Sequence, residues 1–249
     1  MKYLKVFDTT PEYNAFKLTE NFILPNVSCT MDDLTVVYYN PYVAPIVQQH
    51  DYVEIGGVKW ATMNVGAKTI TDFGQKFSWG GVNGYTNDQV TGSYHAFSWT
   101  DYELGDGGSA AANMTKYNST DGKTVLESVD DAATVNMGSG WRMPTSAEFE
   151  ALCDATTSAW TADYEGSGVA GLVLTSKADT SIKLFFPAAG NCGDGSVYDV
   201  GSIGSYWSRS LNTFSRQGAY YMTFYSSSVY CSSNLSRDLG YSVRGVLDE

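Results

Sequence analysis

Residues able to do chemistry are concentrated near the C-terminal end of this chain, and their types suit binding rather than reaction. Residues 204–246 contain 11 Ser and 6 Tyr, together with Arg, Asn and Phe, and neither Lys nor Glu. Tyrosine offers a large contact area with few rotatable bonds, and serine offers hydrogen bonds that adapt to many partners. This composition is typical of an adaptable binding surface, although the edge of an ordinary β-rich domain explains composition alone equally well.

Alternation along a predicted strand, Ala219–Tyr225, separates core positions from surface positions. Strand side chains point to opposite faces in turn, so Tyr220, Met222 and Phe224 share one face, which Met222 and Phe224 make the better core candidate. The opposite face lacks the Lys and Glu that dominate solvated surfaces. The predicted ligand-binding residues, outward on strands or in loops, are Arg209, Asn212, Phe214, Arg216, Tyr221, Thr223, Tyr225, Ser227, Tyr230, Ser232, Asn234, Leu235, Ser236, Asp238 and Tyr241.

Within this set the tyrosines are expected to be the energetic anchors, because aromatic residues supply most hot-spot energy at interfaces. The predicted anchors are Tyr221, Tyr225, Tyr230 and Tyr241. The predicted scaffold residues are Trp141, Trp207, Met222, Phe224 and Val243. Arg237 and Arg244 are expected to brace loops through hydrogen bonds rather than to touch ligand.

Catalytic and metal-binding patterns are missing from the sequence. His50 and His95 are isolated, whereas a zinc site needs clustered His or Cys. There is no Gly-x-Ser-x-Gly elbow and no phosphate loop, and no carboxylate pair is indicated by spacing. No enzyme activity and no cofactor are therefore expected. A structural calcium is left open at Asp101, Glu103 and Asp106, where a polar turn is the favoured interpretation.

Charge and cysteine usage limit the partners and the compartment. The net charge is −12 with 15 basic residues and no basic run, which argues against nucleic acid and anionic membranes as partners. No apolar run reaches the length of a membrane span, and the N-terminus lacks the apolar region of a secretory signal. The four cysteines show no CxxC spacing and are expected to be reduced and structural, with a disulfide between two of them left open.

Two regions differ in character. Residues 1–50 are predicted to form an attachment or oligomerisation segment, with a short helix after Thr10, a strand over Leu34–Tyr39 and a linker over Tyr42–Asp51. Fifty residues make a poor core by themselves. Residues 51–249 are predicted to form the main domain.

Local signals predict the elements of the main domain. Gly56-Gly57 suits a hairpin turn within Tyr52–Asn64, and residues 66–121 are expected to form long ordered loops. A helix is predicted over Glu127–Val135. Pro144-Thr145 followed by Glu148 predicts a capping box at a second helix, with Phe149 and Leu152 on its apolar face. Strands are predicted over Leu172–Leu174 and Ile182–Phe186.

Five segments together resemble one family. They are GGVKWATMNVGA (56–67), FGQKFSWGG (73–81), GWRMPTSAEFEAL (140–152), LFFPAAG (184–190) and GSYWSRS with VRGV (204–246). In this order and spacing they resemble C-type-lectin-like domains of the formylglycine-generating-enzyme type, as found in the major paralogous domains of gut bacteria and their phages. The resemblance covers residues 52–249 and implies an α+β fold with two short helices, small antiparallel sheets and long ordered loops.

Within that family the chain is similar to the variable proteins of diversity-generating retroelements, in which template adenines are copied with errors. Mutated AAC codons can encode every predicted binding residue, but cannot encode Gln217, Met222 or Trp207. The resemblance therefore implies a variable region at about 205–241 with those three residues fixed.

The function implied is a diversified binding protein, namely a phage adhesin whose ligand is a host-surface protein or glycan. It would be made in the bacterial cytoplasm and carried on the virion, as a homo-oligomer or part of a larger assembly. The alternatives are a bacterial cell-surface protein, a static phage structural protein and, last, an oxidase of the formylglycine-generating type.

Overall fold

A computed structural model of the protein describes residues 50–108 and 114–248, and two short strands nearer the N-terminus. The chain divides into two compact units, Met1–Val47 and Gln48–Glu249. In the first unit, β1 (Asn21–Leu24) and β2 (Val27–Thr30) pair as an antiparallel hairpin. The helix predicted after Thr10, the strand predicted over Leu34–Tyr39 and most of the predicted linker lie outside the described residues.

The second unit is a mixed α+β structure built mainly from small antiparallel sheets. The two helices described in this unit are α1 (Ala132–Met137) and α2 (Ser146–Ala155). Single 3-10 turns cover Asn87–Gln89, Ser128–Asp130 and Tyr164–Gly166. Its strands are β3 (Tyr52–Ile55), β4 (Val58–Asn64), β5 (Lys76–Phe77), β6 (Trp141–Arg142), β7 (Thr156–Thr161), β8 (Gly171–Ser176), β9 (Lys183–Pro187), β10 (Asn191–Gly193), β11 (Ser196–Tyr198), β12 (Ile203–Leu211), β13 (Gly218–Tyr225), β14 (Ser228–Ser236), β15 (Tyr241–Ser242) and β16 (Arg244–Leu247).

Three sheets and one hairpin organise these strands. The largest sheet has the order β14-β13-β12-β15-β5, and the others are β3-β4-β16-β6, β7-β8-β9 and the hairpin β10-β11. The β12–β15 pair is parallel, and the other pairs are antiparallel. Strands β15 and β16 are separated by Val243 alone, so this short segment carries the chain from one sheet into the next.

Two local sequence signals, the glycine turn and the capping box, are confirmed, and one predicted helix is corrected. Gly56 and Gly57 have φ of 64° and 77° and join β3 to β4, a conformation that a side chain would strain. The Thr145 side chain accepts from the Glu148 amide, and Glu148 accepts from the Thr145 amide, which completes the predicted capping box. The helix predicted over Glu127–Val135 is instead a 3-10 turn followed by α1, because Asp131 caps the amides of Ala133 and Thr134.

Two buried arginines brace the domain through hydrogen bonds. Arg244, fully buried, donates to Asn64 Oδ1 and to the carbonyls of Ala61, Thr62 and Phe185 at 2.7–3.0 Å. It thereby joins β4 and β9 to β16. Arg237 is also fully buried, and its guanidinium donates to the carbonyls of Tyr117 and Lys116 and lies 5.2 Å from the centre of a Trp79 ring. Arg237 thus braces a loop, at residues 116 and 117, whereas Arg244 connects strands rather than the loops that were expected.

The buried side chain of Lys76, on β5, connects the largest sheet to the loop after β9. The Lys76 ammonium donates to the Ala189 and Gly190 carbonyls at 2.6 and 3.2 Å and to Ser242 Oγ at 2.9 Å. Its side chain is fully buried. Burial lowers the pKa of Lys76 from 10.5 to about 8, because the charged form loses its hydration.

The stability difference between the parent and Lys76→Met should therefore depend on pH. Between pH 8 and 10.5 the unfolded chain binds the proton that the folded chain has lost, so the parent gains stability with rising pH. We expect the difference to move in the parent's favour by up to roughly 3 kcal/mol across that window and to stay flat below it. Urea unfolding at intervals from pH 7 to 10 measures it.

The effect of the Lys76 titration on stability has to be separated from that of the Cys192 thiol. Burial raises the pKa of this thiol from 9 to about 11. The thiol destabilises the fold as pH rises above 9, which opposes the effect of Lys76. The parent and the Lys76→Met variant should therefore both carry the Cys192→Ala substitution. A stability difference that is constant from pH 7 to 10 would mean that the Lys76 ammonium is not desolvated.

Candidate functional site

One partly exposed surface of the largest sheet lies at one end of β12, β13 and β14. Register pairs Ser205 with Thr223 and Thr223 with Tyr230, and it pairs Tyr225 with Ser228. Directly paired residues share a face, so these side chains form one surface. We call the four residues Thr223, Tyr225, Ser228 and Tyr230 the open face.

Two tyrosines dominate the open face. Their hydroxyl oxygens, in Tyr225 and Tyr230, are 3.1 Å apart and their ring centres 6.0 Å apart, and Tyr230 is 49% exposed. This contact lowers the pKa of Tyr225, since the Tyr230 hydroxyl can donate to its phenolate, and it raises the pKa of Tyr230. The pair presents two aromatic surfaces and two hydroxyl groups in a fixed arrangement.

A cavity of about 290 Å³ opens beside this pair, between the β13–β14 hairpin and β7–β8. Trp160 contributes its indole, which meets the Phe224 ring edge-on at 6.4 Å. Four serines, Ser158 and Ser226–Ser228, are among its lining residues, and no charged residue lines the cavity. The lining residues are Ser158, Trp160, Leu172, Tyr225, Ser226, Ser227, Ser228 and Val229.

The reverse face of the same strands is core, as the alternation predicts. Met222 and Phe224 are fully buried in one apolar cluster with Phe149 and Leu152 of α2. Gly204 is required there, because a Cβ at this position would lie 2.1 Å from the Phe224 ring. Tyr220, predicted to share this face, is only half-buried. The open face therefore rests on a rigid support.

The outward-facing side of β13 is covered at its other end. Tyr221 is half-buried and packs against Trp207 and Tyr241 at 5.7 and 4.8 Å between ring centres. Tyr241 is 3% exposed and stacks on Trp207 at 4.3 Å. Burial raises the pKa of the Tyr241 hydroxyl well above its usual range. The outward placement predicted for Tyr241 is wrong, since the second apolar cluster covers this half of the sheet.

Two more predicted surface residues are also buried. Asn212 is 6% exposed, and its Oδ1 accepts from the amides of Phe214 and Ser215, so it orders the β12–β13 loop. Asp238 is 7% exposed and accepts from Ser236 Oγ, and burial raises its pKa. For both residues the prediction of an outward binding role is corrected to a structural one.

The two arginines predicted to bind ligand are half-buried and engaged with the main chain. Arg209 donates to the Leu126 carbonyl at 2.6 Å, and Arg216 donates to the Lys123 carbonyl at 2.9 Å. Arg209 on β12 and Arg216 in the β12–β13 loop thereby attach these two segments to residues 123–126. Phe214, at the tip of this loop, is 96% exposed, and Leu235 on β14 is 46% exposed. We call Phe214 and Leu235 the loop patch.

The predicted binding residues thus form two surface groups rather than one. The loop patch lies at the start of β13, since Leu235 pairs with Ala219, and the open face lies at its end. Ala219 precedes Thr223 by four residues and Tyr225 by six, so about 13–20 Å along β13 separates the two groups. Of the remaining predicted residues, Ser227, Ser232 and Asn234 are exposed and Ser236 is half-buried.

Helix α2 is covalently joined to β14. Cys153 and Cys231 form a disulfide, with their Cα atoms 6.5 Å apart. The expectation of four reduced cysteines is therefore wrong for this pair, which sequence spacing could not show because 78 residues separate its members. Cys192 is free and buried. The side chain of Cys29 lies outside the described structure.

The acidic side chains at the suggested calcium position accept hydrogen bonds from amide groups of the surrounding loops. Asp101 accepts from the Ala96 amide, Glu103 from Val82 and Asn83, and Asp106 from the Gly108 amide. Among the residues that the structure describes, no group of three or more His, Cys, Asp or Glu side chains is arranged to hold a metal ion. Burial raises the pKa of Glu103.

The two histidines lie apart from each other. His95 is buried and stacks on Tyr85 at 3.7 Å between ring centres. His50 is half-buried with its ring edge against Trp141, at 5.6 Å. Burial lowers the pKa of both imidazoles.

Sequence reasoning missed Lys76, Trp160 and the pairing of Cys153 with Cys231. An isolated Lys or Trp gives no sequence signal of burial, and a disulfide partner is set by the fold. Neither described helix has the length and apolar character needed to cross a membrane. In comparisons with known proteins, no family model, no curated protein and no solved structure matches the chain.

Proposed function

We propose that this chain is a non-catalytic, diversified receptor-binding protein that presents the open face and the loop patch to a host-surface protein or glycan. One observation carries the proposal: Tyr225 and the exposed Tyr230 form a hydroxyl-paired aromatic surface on a strand pair backed by the fully buried Met222 and Phe224. Rigid aromatic anchors on a fixed support lose little conformational entropy on binding.

The scaffold we propose for residues 51–249 is a C-type-lectin-like fold of the formylglycine-generating-enzyme type. The mixed α+β architecture with two short helices and small antiparallel sheets supports this fold. The placement of Trp141-Arg142 on a strand, the capping box on the next helix and Trp207 and Arg244 on core strands supports it further.

Variation between copies of the gene tests this function directly. We expect deep sequencing of its 3′ end, in a population that carries it, to find substitutions at codons for surface residues such as Phe214, Tyr225 and Tyr230. Codons for Met222, Trp207 and Gln217 should stay constant. A uniform sequence would contradict diversification and would favour a static binding or structural protein.

Replacing Tyr225 and Tyr230 together with Ala should abolish binding while changing the free energy of unfolding by about 0.5 kcal/mol per site. The reason is that both rings lie on the outer surface and leave the buried reverse face intact. Binding is measured with labelled protein on intact bacteria from the community that carries the gene, and stability by urea unfolding.

A matched control is Tyr198→Ala, because Tyr198 is 47% exposed but lies on the β10–β11 hairpin, outside the largest sheet. This variant should bind like the parent. Equal binding by the double variant and the parent would show that the open face does not contact the receptor. A large loss of stability would instead show that the two tyrosines belong to the core.

We place the protein on the virion of a phage, assembled in the bacterial cytoplasm, where many copies would convert weak single contacts into strong attachment. A bacterial cell-surface protein with the same face is the second candidate. Fractionation with an antibody to the protein distinguishes them, since purified virions carry the signal only in the first case.

A further inference from the structure

The outermost strand of the largest sheet is weakly held by its own residues. Strand β14 is at the edge of the sheet and pairs only with β13. None of its nine residues is fully buried. Pairing is also interrupted, because Tyr221 pairs with Ser233 and Thr223 with Tyr230, which leaves Cys231 and Ser232 opposite the single residue Met222. The hydrogen-bonded pairing with β13 is therefore the main stabilising contact that β14 makes through its own backbone, and it is interrupted.

The disulfide acts at that interruption. Cys231, one of the two extra residues, is bonded to Cys153 on α2. Helix α2 is firmly held, since its Phe149 and Leu152 are buried in the core. A covalent bond thus fixes β14 where its hydrogen-bonded pairing is incomplete. Tyr230, the most exposed residue of the open face, is the adjacent residue in the chain.

Access to the disulfide differs from access to the free thiol. Cys153 and Cys231 are both half-buried, so small thiols can reach the bond. Cys192 is fully buried, and burial raises its pKa, which keeps it protonated and unreactive. Reduction should therefore act on one site of the described chain.

We propose that the Cys153–Cys231 disulfide is a redox switch that orders β14, and with it the open face, only in an oxidising environment. This inference rests on the proposed function for its biological meaning. In the reducing direction a small dithiol attacks one sulfur, forms a mixed disulfide and then cyclises. The two protein sulfurs leave as thiols, the S–S bond of the protein is lost, and the dithiol becomes a cyclic disulfide.

The switch makes the order of the open face depend on whether the protein is inside or outside the cell. In a thiol-rich cytoplasm the disulfide is reduced, β14 opens locally and Tyr230 loses its fixed position beside Tyr225. Outside the cell the thiols oxidise again by exchange with a small disulfide, and the open face becomes ordered. The protein would then bind only where its receptor is exposed.

Hydrogen–deuterium exchange on the full chain tests the switch without any ligand. Oxidised protein is compared with protein treated with dithiothreitol, with labelling of both thiols as proof of reduction. On reduction, peptides covering 226–236 should exchange about tenfold faster, whereas peptides covering β8 and β16 should be unchanged. The double variant Cys153→Ala with Cys231→Ala should exchange at the faster rate with and without reductant. The Cys192→Ala control should respond as the parent does.

Two exchange results would overturn the switch. One is unchanged exchange of residues 226–236 after complete reduction, and the other is an equal rise in β8 and β16, which would mean that the disulfide stabilises the whole domain. Binding of labelled protein to intact bacteria gives a second test. If hydrogen exchange responds as expected but the reduced and oxidised proteins bind bacteria equally, the switch does not control binding and is also overturned. If oxidised protein stains no bacteria, the proposed function fails, while the exchange result still decides whether the disulfide orders β14.

Discussion

Trp207→Ala should be among the most damaging single substitutions in this domain, with an expected loss of about 3–5 kcal/mol of unfolding free energy. Trp207 is fully buried and stacks on Tyr241, with Tyr221 at its edge. Its indole nitrogen donates to the Phe77 carbonyl at 2.9 Å. Truncation opens a cavity beneath β12 and also leaves a buried carbonyl without its donor.

Urea unfolding followed by circular dichroism measures this loss. Trp99→Ala is the matched control, because Trp99 is only half-buried and makes one edge contact with Tyr102 at 5.3 Å. The control should lose roughly 1 kcal/mol. Should both variants lose similar amounts, Trp207 would not have the central packing role that its position indicates.

The second large effect is expected for Arg244→Met, which keeps much of the side-chain volume but removes every donor. The change leaves three buried oxygens and the partly buried Thr62 carbonyl without this donor. Each buried oxygen costs about 1–3 kcal/mol, partly offset by relief from burying a cation. Burial lowers the pKa of Arg244 to about 10, because the charged guanidinium loses its hydration. The net loss should be on the order of 3–4 kcal/mol.

Arg142→Met provides the comparison. Arg142 also forms several bonds, to Glu148 and Asp248, but the three side chains are all partly exposed, at 18%, 19% and 55%. Water can replace those bonds, so this variant should lose roughly 1 kcal/mol. An Arg244→Met protein that unfolds at the same urea concentration as the parent would show that the bracing bonds contribute nothing net.

The two variants also separate the scaffold from the site. Neither Trp207 nor Arg244 belongs to the open face. Substituting either residue should therefore lower the free energy of unfolding while leaving the residues that contact the receptor unchanged. Folded protein recovered at low temperature should therefore still bind through Tyr225 and Tyr230. Substitutions of the tyrosines have the opposite profile, with binding lost and stability kept.

The sequence by itself determined the elements whose causes are local. The Gly56-Gly57 turn, the Thr145–Glu148 capping box and the alternation that buries Met222 and Phe224 each depend on residues within a few positions. Their physical causes are backbone conformation, capping hydrogen bonds and the two-residue period of strands, and all three can be recognised without knowing what packs nearby.

Only the tertiary structure decided which outward positions reach solvent. Tyr225 and Tyr241 were both predicted as surface anchors, but a second apolar cluster covers Tyr241 and leaves Tyr225 in partial contact with solvent. Alternation assigns a side chain to a face and says nothing about what covers that face. The Cys153–Cys231 bond and the burial of Lys76 have the same origin, because each depends on segments distant in sequence that meet only when the sheets pack together.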